Sequence, residues 1–323
     1  MNARAAVSAK VQPFDPQTSA FAADVLDGLS RQPKQISPKY FYDAAGSELF
    51  EQITRLPEYY PTRTELGILR AHSAEIATII PADAALVEFG AGATTKVRLL
   101  LQHCSIGAYV PVDISGEFLK AQARALQQDF PALRVTPVVA DFTAPFELPD
   151  AVAAMPKVGF FPGSTLGNFE PHEASAFLRS ARQILGPGAL LLIGVDLEKD
   201  DRALYAAYND AAGVTARFNL NLLTRINREL GGNFDLSAFT HRAIYNRERH
   251  RIEMHLVSRK PQTVRILSKN VAFRAGESIH TENSYKYSFE RFNALARGAG
   301  WMPNASWTDH DGLFSVHALV ASA

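Results

Sequence analysis

The chain contains one cysteine, Cys104, in 323 residues. No internal disulfide can form, and no CxxC pair offers thiolates to zinc. Its setting, "RLLLQHC", is an apolar helical face, where a thiol reads as buried and inert. An excess of basic charge is also missing. The 33 Lys plus Arg balance 33 Asp plus Glu, for a formal net charge of zero. That argues against nucleic-acid binding, which draws its affinity from such an excess. No stretch approaches the ~20 apolar residues of a membrane span, and "MNARAAVSAKVQPFDP" lacks the unbroken apolar segment of a secretion signal. The 9 histidines are scattered, with His250 and His255 the nearest pair and no third ligand beside them. No metal site is therefore expected. No G-x-S-x-G elbow is present, so Ser164 in "PGSTLG" reads as part of a binding loop and not as a nucleophile. The expectation is a cytoplasmic monomer with small-molecule partners, no nucleic acid and no membrane.

The remaining composition is that of an ordinary globular chain, 47% hydrophobic and 20% charged, long enough for about two domains at ~150 residues each. From Ala84 onward, short apolar runs alternate with amphipathic stretches. "ALVEF" (85–89), "AYVPVDI" (108–114), "LRVTPVVADF" (133–142), "KVGFFPG" (157–163) and "ALLLIGVDL" (189–197) are strand candidates. They are near-continuously apolar, as strands covered on both faces are. "TKVRLLLQHC", "SGEFLKAQARALQQDF" and "PHEASAFLRSARQILG" between them carry helical periodicity. Ser115 is the expected N-cap of the second, and the third opens at Pro171 and stops at Gly186. Repeated βα units predict a doubly wound parallel sheet. After Leu197 the pattern changes to helices at roughly 199–212 and 214–230 and then to alternating strand-like segments. A helix and a final hairpin through Asp311-Gly312 close the chain. The sheet thus pauses near 197 and resumes near 287. The expected division is 63–196 with 287–323 as one domain and 1–62 with 197–286 as a second.

The loop Gly90-Ala91-Gly92-Ala93-Thr94 lies where the first parallel strand meets a helix. Small residues there allow close backbone approach, and the helix start offers free N–H groups. Alone, such a loop reads equally well as a tight turn. The third glycine of a dinucleotide fingerprint is replaced by Thr95, which counts against a pyrophosphate cofactor. Asp113 ends the second strand, where a carboxylate accepts ribose hydroxyls. Asp141 and Phe142 follow the third, where an acid takes an adenine amino proton and a ring stacks on the base. Each alone is a solvated loop acid. Together, at three successive strand ends, they fit an adenosine-type cofactor without pyrophosphate, for which S-adenosylmethionine is the natural candidate. Lys96, just inside the helix, is placed to meet that cofactor's carboxylate.

Five segments carry a resemblance: "SPKYFYDAAGSELFEQITRLPEYYPTRTE", "VEFGAGATTKVRLLL", "FFPGSTLGNF", "AYND" and "IHTENSYKY". Together they resemble the histidine N-alpha-methyltransferases of ergothioneine biosynthesis, from about residue 37 to the end. The resemblance implies a class I S-adenosylmethionine-dependent methyltransferase, an α/β protein with a Rossmann-like seven-stranded sheet and an inserted α+β substrate-binding domain. The implied reaction is threefold methylation of the L-histidine α-amine to the betaine hercynine. By motif, Gly90, Lys96, Asp113, Asp141 and Phe142 match the cofactor positions. Asn168 matches a contact to the amino-acid backbone, Tyr208 a carboxylate contact and Tyr42 the tyrosine facing the amine. Tyr59 matches an imidazole contact, with Tyr60 adjacent as the other reading. Glu282 and Ser284 match the remaining imidazole ligands, and Met254 an apolar wall. Tyr42 and Asn168 are the implied catalytic pair, holding the nitrogen as its protons leave.

Two other readings fit the residues: a methyltransferase for another amino acid or small amine, and a non-catalytic S-adenosylmethionine sensor. The polar Tyr/Asn/Glu set argues against a sensor, which needs no second pocket. Without the resemblance, the tyrosines of "PEYYPTR" read as loop packing.

Overall fold

The computed structural model describes residues 16–322; the first 15 residues of the expected 1–62 segment, and Ala323, lie outside the described residues. The chain begins with α1 (Pro16–Ser30), β1 (Lys34–Gln35), α2 (Ala44–Ile53), α3 (Tyr60–Ala71) and α4 (Ser73–Ile79). An alternating series follows: β2 (Ala84–Phe89), α5 (Thr95–His103), β3 (Ile106–Asp113), α6 (Gly116–Asp129), β4 (Arg134–Val135), β5 (Val138–Val139), β6 (Lys157–Phe161), α7 (Pro171–Leu185) and β7 (Leu190–Asp196). Then come α8 (Asp201–Tyr208), α9 (Val214–Leu230), β8 (Phe239–Asn246), β9 (Arg251–Ser258), β10 (Gln262–Ile266), β11 (Lys269–Phe273) and β12 (Ser278–Tyr285). The chain closes with α10 (Phe289–Gly298), β13 (Trp301–Thr308) and β14 (Phe314–Ala321).

The large sheet has the order β13-β14-β7-β6-β2-β3-β4, with β5 also on β3. Its central strands β7, β6, β2 and β3 pair in parallel, while β14 is antiparallel to both β7 and β13. Every residue of β2 and β7 is buried, because helices cover both faces of a parallel sheet. Ile68, Leu69, Ile76, Val97 and Leu100 pack one face; Phe177, Leu178, Phe292 and Trp301 pack the other. The second sheet, β1-β12-β9-β8, is antiparallel apart from the β1–β12 pair. It shares a core with α1, α8 and α9 through Phe21, Val25, Leu204, Phe218, Leu222 and Ile226. Strands β10 and β11 form a separate hairpin.

Several local expectations change. The third strand candidate is two short pieces flanking Pro137, which has no N–H to give a ladder. Ser115 makes no side-chain cap; instead its N–H donates to Asp113 Oδ1 at 2.7 Å. The helix after β7 stops at Tyr208 because Asp210 turns to cap the next one, accepting the N–H groups of Val214 and Thr215, each at 2.8 Å. In the last hairpin Asp309 organises the turn, accepting N–H groups of Asp311, Leu313 and Phe314. Residues 278–285, read only as a motif, form the strand that joins β1 to β9. Cys104 follows α5 half-buried, and burial pushes its thiol up to about 11.

Candidate active site

The carboxyl ends of the parallel strands and the pleated face of the second sheet border one cavity of about 1330 Å³. All 12 residues singled out from the sequence line it: Gly90, Lys96, Asp113, Asp141, Phe142, Tyr42, Tyr59, Asn168, Tyr208, Met254, Glu282 and Ser284.

At one end, β2 turns at Gly90 with φ +72°, and a Cβ there would lie 3.2 Å from the Phe142 ring. The position needs glycine for both reasons. Phe142 is steadied by Phe161 and Phe177, with ring centroids 5.7 and 5.9 Å away. Burial raises the Asp113 carboxyl despite its bond from the Ser115 N–H. Asp141 accepts its own loop's Thr143 N–H at 2.9 Å. A glycine turn, a held carboxylate and a fixed ring at adjacent strand ends suit a nucleoside without pyrophosphate. Lys96 does not stand alone. Its ammonium lies 2.6 Å from Glu65 Oε2, and Glu65, fully buried on α3, also accepts the Gly163 N–H at 2.9 and 3.0 Å. One carboxylate thus ties the start of α5 to the loop after β6. Glu88, also buried, accepts the Tyr109 hydroxyl, and burial pushes it up to about 7.

At the other end, Tyr42 precedes α2. Asp43 caps that helix through the Gly46 N–H at 2.8 Å and takes a bond from Asn221 at 2.8 Å. Gly46 is obligatory, since a Cβ would fall 1.7 Å from the Phe41 carbonyl oxygen. Tyr42 meets Phe50 and Phe218 edge-on, and Tyr59 meets Phe50 and Tyr208 in the same way. Of the adjacent tyrosines, Tyr59 lines the cavity, whereas Tyr60 turns its hydroxyl to Asp196, at 2.9 Å from each oxygen. A bulge after His280 sets Glu282 directly opposite Met254 on β9, so the carboxyl and the apolar wall face the cavity together. Thr281, the extra residue, is fixed by a 2.9 Å bond to Asn219. Asn219 also bonds His241, whose Nε2 donates to the Tyr208 carbonyl at 2.8 Å.

The side chains of Tyr42, Tyr59 and Glu282 make no hydrogen bond to another described residue. Burial holds the Tyr42 and Tyr59 hydroxyls well above the ordinary phenol range and pushes Glu282 up to about 8. Glu282 is buried and Tyr42 and Tyr59 are half-buried, and all three line the cavity without a side-chain partner, which marks a place for a polar ligand.

Sequence reasoning missed the buried network behind this wall. Asp196, at the end of β7, takes bonds from Lys286 at 2.6 Å, Lys199 at 2.5 Å and Tyr60. Burial alone would raise its carboxyl, but the two ammoniums outweigh that and hold it below the ordinary range. Burial brings Lys199 down to about 8. Tyr208 donates to Ser284 Oγ at 2.7 Å. The signals were a lone acid closing "LLLIGVD" and a lysine inside "NSYKYS", charges in settings otherwise apolar or aromatic.

The reversed last strand on a doubly wound sheet, with this nucleoside end and a second polar pocket beside it, defines a class I methyltransferase. The family described as histidine-specific, S-adenosylmethionine-dependent methyltransferase matches residues 21–321. The chain belongs to that family, and S-adenosylmethionine is its cofactor. It is 43% identical over 316 residues to the histidine N-alpha-methyltransferase of Mycolicibacterium smegmatis, covering 95% of this chain and 96% of that one. It is also 43% identical over 307 residues to the histidine N-alpha-methyltransferase of Mycobacterium tuberculosis, covering 92% and 94%. Ergothioneine biosynthesis protein 1 of Neurospora crassa is 30% identical over 302 residues, which are 90% of this chain but 33% of that protein.

Proposed function

We propose that the protein trimethylates the α-amine of L-histidine to hercynine, the first step of ergothioneine biosynthesis. The observation that carries this reading is the set Tyr42, Tyr59 and Glu282, without side-chain partners in the same cavity as the nucleoside end. In this reading Gly90, Lys96, Asp113, Asp141 and Phe142 hold S-adenosylmethionine, which when bound supplies an electrophilic methyl group on a sulfonium. Asn168 and Tyr208 hold the amino-acid backbone, while Tyr59, Glu282, Ser284 and Met254 enclose the ring.

The chain's part in catalysis is positioning. A free α-amine is mostly protonated near neutral pH, so the nitrogen must lose a proton before each transfer. Tyr42 and Asn168 hold it while its proton count falls, and the hydrophobic rings of Phe50 and Phe218 beside Tyr42 keep competing water away. Buried polar groups left unpaired by an apolar side chain penalise that substrate.

The division into a cofactor core, 63–196 with 287–323, and a substrate domain, 1–62 with 197–286, goes with this reading. It is supported by the two separate sheets. We take the working form to be a monomer, and its small-metabolite substrates suit the cytoplasm. Nuclear magnetic resonance of the product formed from histidine tests the reaction. Methyl signals on the α-nitrogen support it, and methylation on the ring would refute it.

A further inference from the structure

Lys286 follows β12, is fully buried and does not line the cavity. Its ammonium donates to Asp196 Oδ2 at 2.6 Å, to Ser284 Oγ at 2.7 Å and to Tyr208 Oη at 3.2 Å. An ammonium has three protons and accepts none, so these bonds use it completely. Asp196 is itself held by Lys199 and Tyr60, which leaves Lys286 no other place to turn. Neither hydroxyl can then send its own proton toward the lysine. Tyr208 donates to Ser284 Oγ at 2.7 Å. Ser284 therefore accepts from Lys286 and from Tyr208, both its lone pairs are committed, and its hydrogen is left for the cavity. Should Tyr208 swing its proton to a carboxylate, Lys286 still donates to Tyr208 Oη at 3.2 Å and so competes for the lone pair to which Ser284 would otherwise turn.

We infer that Lys286 is a positioning residue that makes Ser284 a one-way hydrogen-bond donor, so that the pocket takes a ring with a bare nitrogen lone pair at Ser284. Glu282, two residues along the same strand and on the same face, receives the ring N–H. The inference rests on the proposed binding of histidine here. It adds a requirement that this proposal does not contain: the ring must be a neutral imidazole with its lone pair toward Ser284, and neither a pyrrole nor an imidazolium satisfies that donor.

The test compares kcat/KM for histidine with that for the two pyrrolylalanine isomers, which keep one ring N–H and no bare nitrogen. Wild type should prefer histidine over the better isomer by about tenfold or more, since a fixed donor is left unpaired. In Lys286→Met the serine hydroxyl is free to turn to Tyr208, so the preference should fall to about threefold or less, with KM for histidine rising more than kcat falls. Ser284→Ala should lower the preference as well. If Lys286→Met does not fold, Lys286→Leu carries the same comparison, Asp196 keeping Lys199 at 2.5 Å as its counter-charge in both. Wild type that methylates histidine without preferring it over the pyrroles, or a preference equal in wild type and lysine variant, overturns the inference. Wild type that leaves histidine unmethylated overturns the proposed function instead.

Discussion

Replacing Glu282 by leucine should stabilise the protein and disable it. Glu282 is 9% exposed and has no hydrogen-bond partner among the described residues. Burial moves its carboxyl from 4.5 to about 8. Between those values the folded state keeps a proton that the unfolded chain gives up, so the unfolded chain binds fewer protons and stability falls as pH rises. At about 1.4 kcal/mol per pH unit the whole span sets a ceiling of about 5 kcal/mol. Leucine of similar size removes that cost. In thermal melts without ligand, wild type should lose stability from pH 5 to pH 8, whereas Glu282→Leu should stay flatter and melt several degrees higher at the alkaline end, at about 2–4 °C per kcal/mol. The same variant should lose about 10²-fold or more in kcat/KM for histidine, because the buried ring N–H is left without its acceptor at a cost of ~3 kcal/mol. Tryptophan should gain relative to histidine, more so if Met254 is also trimmed. Equal melting curves at pH 8, or an unmoved histidine-to-tryptophan ratio, would refute the reasoning.

Asp113→Ala should weaken S-adenosylmethionine binding by about 1–3 kcal/mol in calorimetry; unchanged affinity in a folded variant removes Asp113 from the site. Tyr59→Phe should raise KM for histidine at near wild-type stability, while Tyr60→Phe, which breaks a buried bond to Asp196, should cost about 1–3 kcal/mol of stability. Kinetics and melting of the two variants check the assignment, and identical behaviour contradicts it. Glu65→Ala should harm both sites together, because the carboxylate holds Lys96 and the Gly163 N–H. Calorimetry with each ligand showing only one affinity changed would rule out that bridge.

The parallel sheet was legible because strands buried on both faces must be near-continuously apolar, and β2, β3, β6 and β7 are, apart from Glu88 and the terminal Asp113, Lys157 and Asp196. The glycine loop and the acids at Asp113 and Asp141 were readable because their chemistry sits at strand ends. Residues 278–285 were harder. A strand carrying Thr281, Glu282, Asn283 and Ser284 with a bulge in it has neither clean alternation nor an apolar run. Its polar side chains are held because Asn219, Tyr208 and Glu170 come from elsewhere to meet Thr281, Ser284 and Asn283. Such partnerships span 62 to 113 positions of sequence and leave no local pattern. Glu65 was invisible for the same reason: on its helix it reads as a surface acid, and only the fold brings Gly163 and Lys96 to it.

The central claim is tested most directly by mass spectrometry of the protein incubated with S-adenosylmethionine and, separately, each of the twenty amino acids. Histidine should pass through singly and doubly methylated forms to a product with three added methyl groups, well ahead of every other amino acid. Histidine left unmodified, or another amino acid methylated faster, would contradict the account.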